Sequence, residues 1–165
     1  MKKRIISIMA SMAILCSLCS MSATSVKASE NELKKVDGSY LTMEESSTGN
    51  SLDKDRGIHM MTGECSISKA GRDEIYCYGS TTANHEVDYL AVLVYVDQYQ
   101  EDTGEWGQID AWVQEATNDY FVITDKTLEV PRGYYYRVHA DHFVAEGDDP
   151  IEETFSVTNG IYLPK

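Results

Sequence analysis

The sequence has few basic residues, few prolines and no helical periodicity. Lys and Arg number 14 in 165 residues, against 27 Asp and Glu, for a formal net charge of −13. All 27 acids lie after residue 28 with only ten bases, so that segment carries −17. Such a chain offers no basic stripe, which argues against nucleic acid and anionic bilayer surfaces as partners. With 3 Pro and 11 Gly it is neither collagen-like nor low-complexity. No Gly-x-Ser-x-Gly occurs, so the nucleophile elbow of serine hydrolases is missing. No stretch beyond residue 28 approaches the ~20 apolar residues of a membrane span. No internal repeat is found. What is present is aromatic: 11 Tyr, 3 Phe and 2 Trp supply a core despite the charge.

Residues 1–28 read as a secretory signal peptide. Met1-Lys2-Lys3-Arg4 is the positive start, Ile5 to Leu18 is mostly apolar, and Val26-Lys27-Ala28 fits cleavage after Ala28. A cut after Ala23 is the alternative. Neither Cys16 nor Cys19 follows the small residues of a lipoprotein signal, and Leu163-Pro164-Lys165 carries no sortase-type tail. The expected product is secreted and soluble.

Removing that segment leaves Cys65 and Cys77. An oxidising exterior permits a bridge. A hairpin about Gly71 would place the two directly opposite, with Ile67 and Ile75 as the next pair. The alternative is two buried free thiols. A catalytic dithiol is not expected, because the spacing is not Cys-x-x-Cys.

Residues 29–57 are polar with scattered apolar positions, and read as a flexible acidic lead-in with one short ordered piece at 40–45. From residue 58 to 165 the period becomes two. Strands are expected at 58–69, 74–82, 89–100, 106–116, 120–124, 133–145 and 151–157, with a terminal 161–163. Breaks fall at 70–73, 82–85, 102–105 and 118–119. About seven strands without a helix predict an all-β, two-sheet antiparallel sandwich.

The stretch LEVPRGYYYRVHA, from Leu128 to Ala140, resembles the approach to strand F of fibronectin type III domains. Leu128, Pro131, Tyr134, Arg137, Val138 and Ala140 stand in the matching places. The resemblance implies an immunoglobulin-like sandwich and a tyrosine corner at Tyr134. It also implies Tyr136, Val138 and Ala140 inside, with Tyr135, Arg137 and His139 outside. The superfamily's strand B tryptophan is missing, its place taken by Ile75-Tyr76-Cys77-Tyr78. The chain also resembles an uncharacterised family of small secreted proteins of Gram-positive anaerobes. That likeness rests on LTMEES at 41–46, Gly104-Glu105-Trp106, GYYYRV at 133–138 and Asn159-Gly160-Ile161. It implies location and fold, and no activity.

Candidate chemistry is sparse. His139 and His142 are three apart, so they face opposite sides of a strand and cannot share a zinc ion without a bulge. His59 and His85 fall in or near loops. Glu146, Asp148 and Asp149 in an acidic loop are the best calcium candidates, although the spacing is not that of an EF-hand. Trp106 and Trp112 would share a strand face. With Tyr135 they form the candidate binding surface if exposed, since flat rings stack on sugars or anchor a protein. Burial in the core is the competing reading, because a one-residue slip inverts the faces. The expected function is a non-catalytic binding module for an extracellular protein or glycan. The alternatives are a small secreted hydrolase and a secreted effector or structural protein.

Overall fold

The computed structural model describes residues 33–51 and 57–165. The signal peptide expected at 1–28, with cleavage at Ala28, lies outside the described residues. Residues 33–165 form one compact unit. The described residues contain nine strands and no helix. They are β1 (Lys35–Val36), β2 (Ser39–Thr42), β3 (Ser46–Asn50), β4 (Met60–Lys69), β5 (Glu74–Gln100), β6 (Glu105–Glu129), β7 (Tyr134–Ala145), β8 (Glu152–Val157) and β9 (Gly160–Leu163).

The all-β reading holds, and the architecture differs from a purely antiparallel sandwich. One nine-stranded sheet runs β1-β2-β9-β7-β5-β4-β3, with β6 on β5 and β8 on β7. It is mixed, because β2 and β9 pair in parallel while every other pairing is antiparallel. The lead-in is not wholly a flexible spacer: β1, β2 and β3 come from it. They escape a pattern search because little in them is apolar. Ser39, Leu41 and Thr42 are buried, and the 46–50 strand is Ser-Ser-Thr-Gly-Asn.

β5 and β6 determine the arrangement. A straight 27-residue strand would run about 90 Å. That is several times the ~13 Å radius of gyration of a 100-residue domain. The pair therefore turns a corner. Between the Thr82–Phe121 and Val87–Asp119 pairings, β5 carries four residues and β6 carries only Tyr120. Asn118 beside it takes a left-handed φ of 52°. The expected breaks at 82–85 and 118–119 fall at this corner, where the strands bend and continue. The bend brings the first half of β5 face to face with the second. A Cβ on Gly79 would lie 2.5 Å from a Val94 methyl, and the Thr81 hydroxyl donates to the Ala91 carbonyl at 2.8 Å.

Between the facing halves sits the core. It contains Cys65 and Ile67 of β4, Ile75, Cys77, Leu90, Val92, Val94 and Val96 of β5, Tyr136, Val138 and Ala140 of β7, and Ile161 and Leu163 of β9. The alternation expected for β7 is present, with Tyr136, Val138 and Ala140 fully buried. The corner hydroxyl is displaced by two residues. Tyr136, not Tyr134, donates to the Pro131 carbonyl, and Tyr134 is exposed. Tyr134 shares the face of Tyr136 but stands at the open start of β7, opposite Leu163, where it remains exposed.

The 65–77 bridge is not formed. The β4–β5 hairpin centres on Arg72 rather than Gly71, so Cys65 faces Gly79 and Cys77 faces Ile67. Diagonal neighbours lie ~7–8 Å apart, beyond the ~4.4–6.8 Å Cα spacing of most disulfides. Both thiols are free and buried. Burial pushes each up to about 12. A thiol reagent should therefore find neither cysteine in native 29–165 protein and both after denaturation. A native protein with no titratable thiol in denaturant would restore the bridge.

Close approach also fixes β3. A Cβ on Gly49 would sit 2.1 Å from the Val157 carbonyl oxygen. Gly49→Ala should lower stability by about 1–3 kcal/mol in urea unfolding. Gly107→Ala meets only a flexible Gln100 side chain at 3.4 Å and should stay within ~0.5 kcal/mol.

Candidate functional site

The outward side of β6, β5, β7 and β8 is an ordered grid set by register. One row reads Ala111, Tyr95, His139, Val157. The next reads Val113, Leu93, Asp141, Phe155. A third reads Glu115, Ala91, Phe143, Glu153. Cross-strand neighbours on one face lie ~4.5–5.5 Å apart at Cβ, so the apolar members are contiguous. Val113 is 53% and Phe155 55% exposed. Carboxylates of Glu115, Asp141 and Glu153 interrupt and edge the patch. Tyr95 stacks on His139 with ring centroids 4.6 Å apart.

The tryptophans do not share this face, or any face. Ile109 is an extra residue in β6, lying between the Asp97–Gln108 and Val96–Asp110 pairings. A bulge of one residue reverses the parity on its far side. Trp112 therefore points inward beside Val94 and packs against the core, its indole N–H on Thr124 Oγ1 at 3.0 Å. Trp106 lies on the other side, where its N–H donates to the Val36 carbonyl at 3.0 Å. The Arg137 guanidinium covers its ring at 4.6 Å. Both are part-buried structural residues, so the shared face is corrected and burial, the competing reading, is favoured over an exposed pair. Tyr135 is half-buried against Tyr162, with centroids 4.9 Å apart, and edge-on to Tyr99.

Next to the grid lies the densest charged cluster. Arg137, expected outside, is only 5% exposed, because the β1–β2 turn covers it. Its Nε donates to Asp97 Oδ2 at 2.9 Å, and its terminal nitrogens reach the Asp37 carbonyl, the Asp37 carboxylate and Ser39 Oγ. His139 Nε2 lies 3.4 Å from the same Asp97 oxygen. Burial alone would raise the Asp97 carboxyl, but hydrogen bonds from His139 and Arg137, and their charges, outweigh it and hold it below the ordinary range. Asp37, Arg137, His139, Phe155 and Val157 line a cavity of about 270 Å³.

His142 faces inward, opposite to His139. The Thr81 hydroxyl is spent on the Ala91 carbonyl, so it accepts from His142 Nδ1 at 2.9 Å. Nε2 then accepts from Ser156 Oγ at 2.8 Å. The ring is neutral, and burial lowers its pKa to about 4.

The acidic loop does not converge. Glu146 accepts the Asp88 amide at 2.9 Å, and Asp88 accepts the Gly147 amide at 2.9 Å. Asp149 meets His59 Nε2 at 3.0 Å, and Asp148 is exposed. Glu152, which follows that loop, takes the amides of Ile58, His59 and Met60 on its carboxylate. Burial would raise its pKa, but those three donors lower it. Among the described residues, no group of three His, Cys, Asp or Glu side chains is placed to hold a metal ion.

The geometry defines an all-β domain with an exposed, acid-edged apolar face on a curled mixed sheet. Residues 27–161 match a family of unknown function, DUF6147, and the chain belongs to that family. Comparison with curated proteins finds no match.

The His142 geometry predicts a pH dependence. An unfolded histidine titrates near 6.5, whereas the folded one does so near 4. The unfolded chain therefore binds more protons between those values. The stability from this group is whole above about pH 6.5 and declines as pH falls toward 4. Wild-type stability relative to His142→Gln should fall by up to about 3 kcal/mol between pH 7 and 4.5 in urea titrations. A constant difference would mean that the buried ring is not held neutral.

Proposed function

We propose that this protein is an exported, non-catalytic interaction module that binds an extracellular protein through the outward face of β6, β5, β7 and β8. The observation behind this reading is the apolar grid of exposed Val113 and Phe155 with half-buried Leu93 and Phe143, which lies outside a separately filled core. Large exposed apolar patches on soluble domains mark interaction surfaces. Export rests on the signal-peptide reading of residues 1–28. It accords with the resemblance to small secreted proteins of Gram-positive anaerobes. A distant fibronectin type III or immunoglobulin-like ancestry is part of the proposal. It is supported by the Tyr136–Pro131 hydroxyl bond and the inward alternation of β7.

A glycan partner has less behind it, because Trp106 and Trp112 are occupied by Arg137 and Lys126 over their rings. A second reading, a small secreted hydrolase, has one observation in its favour. His139 beside Asp97 at the cavity is the arrangement of an oriented general base. Its nucleophile would have to be water.

The test is a binding screen of the protein against extracellular proteins, cell wall, mucin and a glycan array, with Phe143→Ser/Phe155→Ser alongside. A protein ligand whose affinity drops at least about tenfold in the variant, at unchanged melting temperature, is the expected result. Binding undiminished in the variant, or confined to glycans, would overturn it.

A further inference from the structure

β6 is an edge strand. Among the described residues its only strand partner is β5, and its outer backbone groups are met in part by its own side chains. The Ala111 amide donates to Asp110 Oδ1 at 2.9 Å, and the Glu115 carbonyl accepts from the Gln114 amide at 3.2 Å. Both belong to odd-numbered residues. In an antiparallel ladder the residues of one strand alternate between bonding inward and facing away. Residues 111, 113, 115 and 117 therefore turn their N–H and C=O outward. Val113 sits midway between the two capped groups, and both of its backbone groups are open. Its side chain is also among the most exposed of the apolar grid.

Residues 110–117 pair without interruption between the Ile109 bulge and the Asn118 kink. That is an accessible edge of eight residues, about 26 Å long. Long open edges invite a further strand. Charge decides which. β6 carries six acids (Glu105, Asp110, Glu115, Asp119, Asp125, Glu129) and one base, Lys126. Lys126 is already bonded to Asp110. A second copy would bring together two strands that each carry six acids and one base. An extended segment with alternating cationic and apolar residues would place its apolar side chains beside Val113 on the outward face and its cations on the opposite face with Asp110.

We infer that the β6 edge at residues 110–117 receives an extended, cationic strand of a partner protein, with Asp110 and Gln114 withdrawing from the backbone groups they cap. This deepens the interaction-module reading and rests on it. Strand addition supplies affinity through main-chain bonds, while the neighbouring side chains supply selectivity.

The probe is a capped octapeptide of alternating valine and lysine, with an alternating valine–glutamate peptide as its counterpart. Amide exchange is followed by NMR. The lysine peptide should slow exchange of the Val113 amide at least about tenfold, and the glutamate peptide should leave it unchanged. Val113→Pro removes one outward N–H at a position where an edge tolerates proline. It should weaken the lysine peptide at least about tenfold at unchanged melting temperature. An unaltered Val113 amide, or equal affinity for Val113→Pro, would overturn the inference and leave electrostatic adhesion only. Loss of the native partner in Phe143→Ser/Phe155→Ser but not in Val113→Pro would sink strand addition while sparing the module. The exchange measurement on wild type decides the matter if the proline variant does not fold.

Discussion

The corner in the β5–β6 ladder is the constraint from which the rest follows. Two strands of 27 and 25 residues stay paired almost end to end and must bend to remain within one domain. Four residues of β5 opposite one of β6 swing the first half of β5 across its second half. That contact requires Gly79 where the Val92 and Val94 methyls press against its backbone and places Thr81 within reach of His142. β4 then follows one half of β5 and β7 the other, so two layers of one sheet enclose the core without a separate second sheet. Polar groups trapped there are satisfied as a set: Thr81, His142 and Ser156 bond in a chain. Removing one member would leave the others unpaired in a low-dielectric interior.

Much of this was legible in alternation alone. β4, both halves of β5, the start of β6, and β7, β8 and β9 were foreshadowed by period-two patterns. The inward set of β7 came from the resemblance of Leu128–Ala140 to the approach to strand F of fibronectin type III domains. The turn signals at 82–85 and 118–119 were real, but such signals do not distinguish a loop from a corner within a continuous strand. β2 overlaps the ordered piece expected at 40–45, whereas β3 was hidden because its burial depends on Val157, more than a hundred residues away, and on a glycine that contributes no side chain. The cysteine register was missed by two residues because the hairpin loop centres on Arg72, and nothing local favours that centre over Gly71.

The candidate surface was misassigned for one local reason. Strict alternation placed Trp106 and Trp112 together, and a single extra residue, Ile109, separated them. Bulges leave little trace in composition, and any face assigned through one inverts beyond it. Trp106 became a floor for Arg137, and Trp112 joined the core. The outward grid is instead built from Leu93, Val113, Phe143 and Phe155. These residues look ordinary in sequence and become conspicuous only when four strands are aligned. Arg137 shows the same effect in reverse: on the outward side of its strand, it is buried by the turn at Asp37 and Gly38.

The parallel pairing of β2 with β9 bears on the order of assembly. Leu41 meets Gly160, and Thr42 meets Ile161. The Ser39 hydroxyl and the Tyr40 amide are satisfied by Thr158 and Asn159. Apart from its two-residue pairing with β1, the early strand therefore cannot join the rest of the sheet until β9 is available, and closing so large a loop is slow. Residues 39–42 would wait until Gly160 and Ile161 have emerged, and the Arg137 guanidinium would remain in water until they docked.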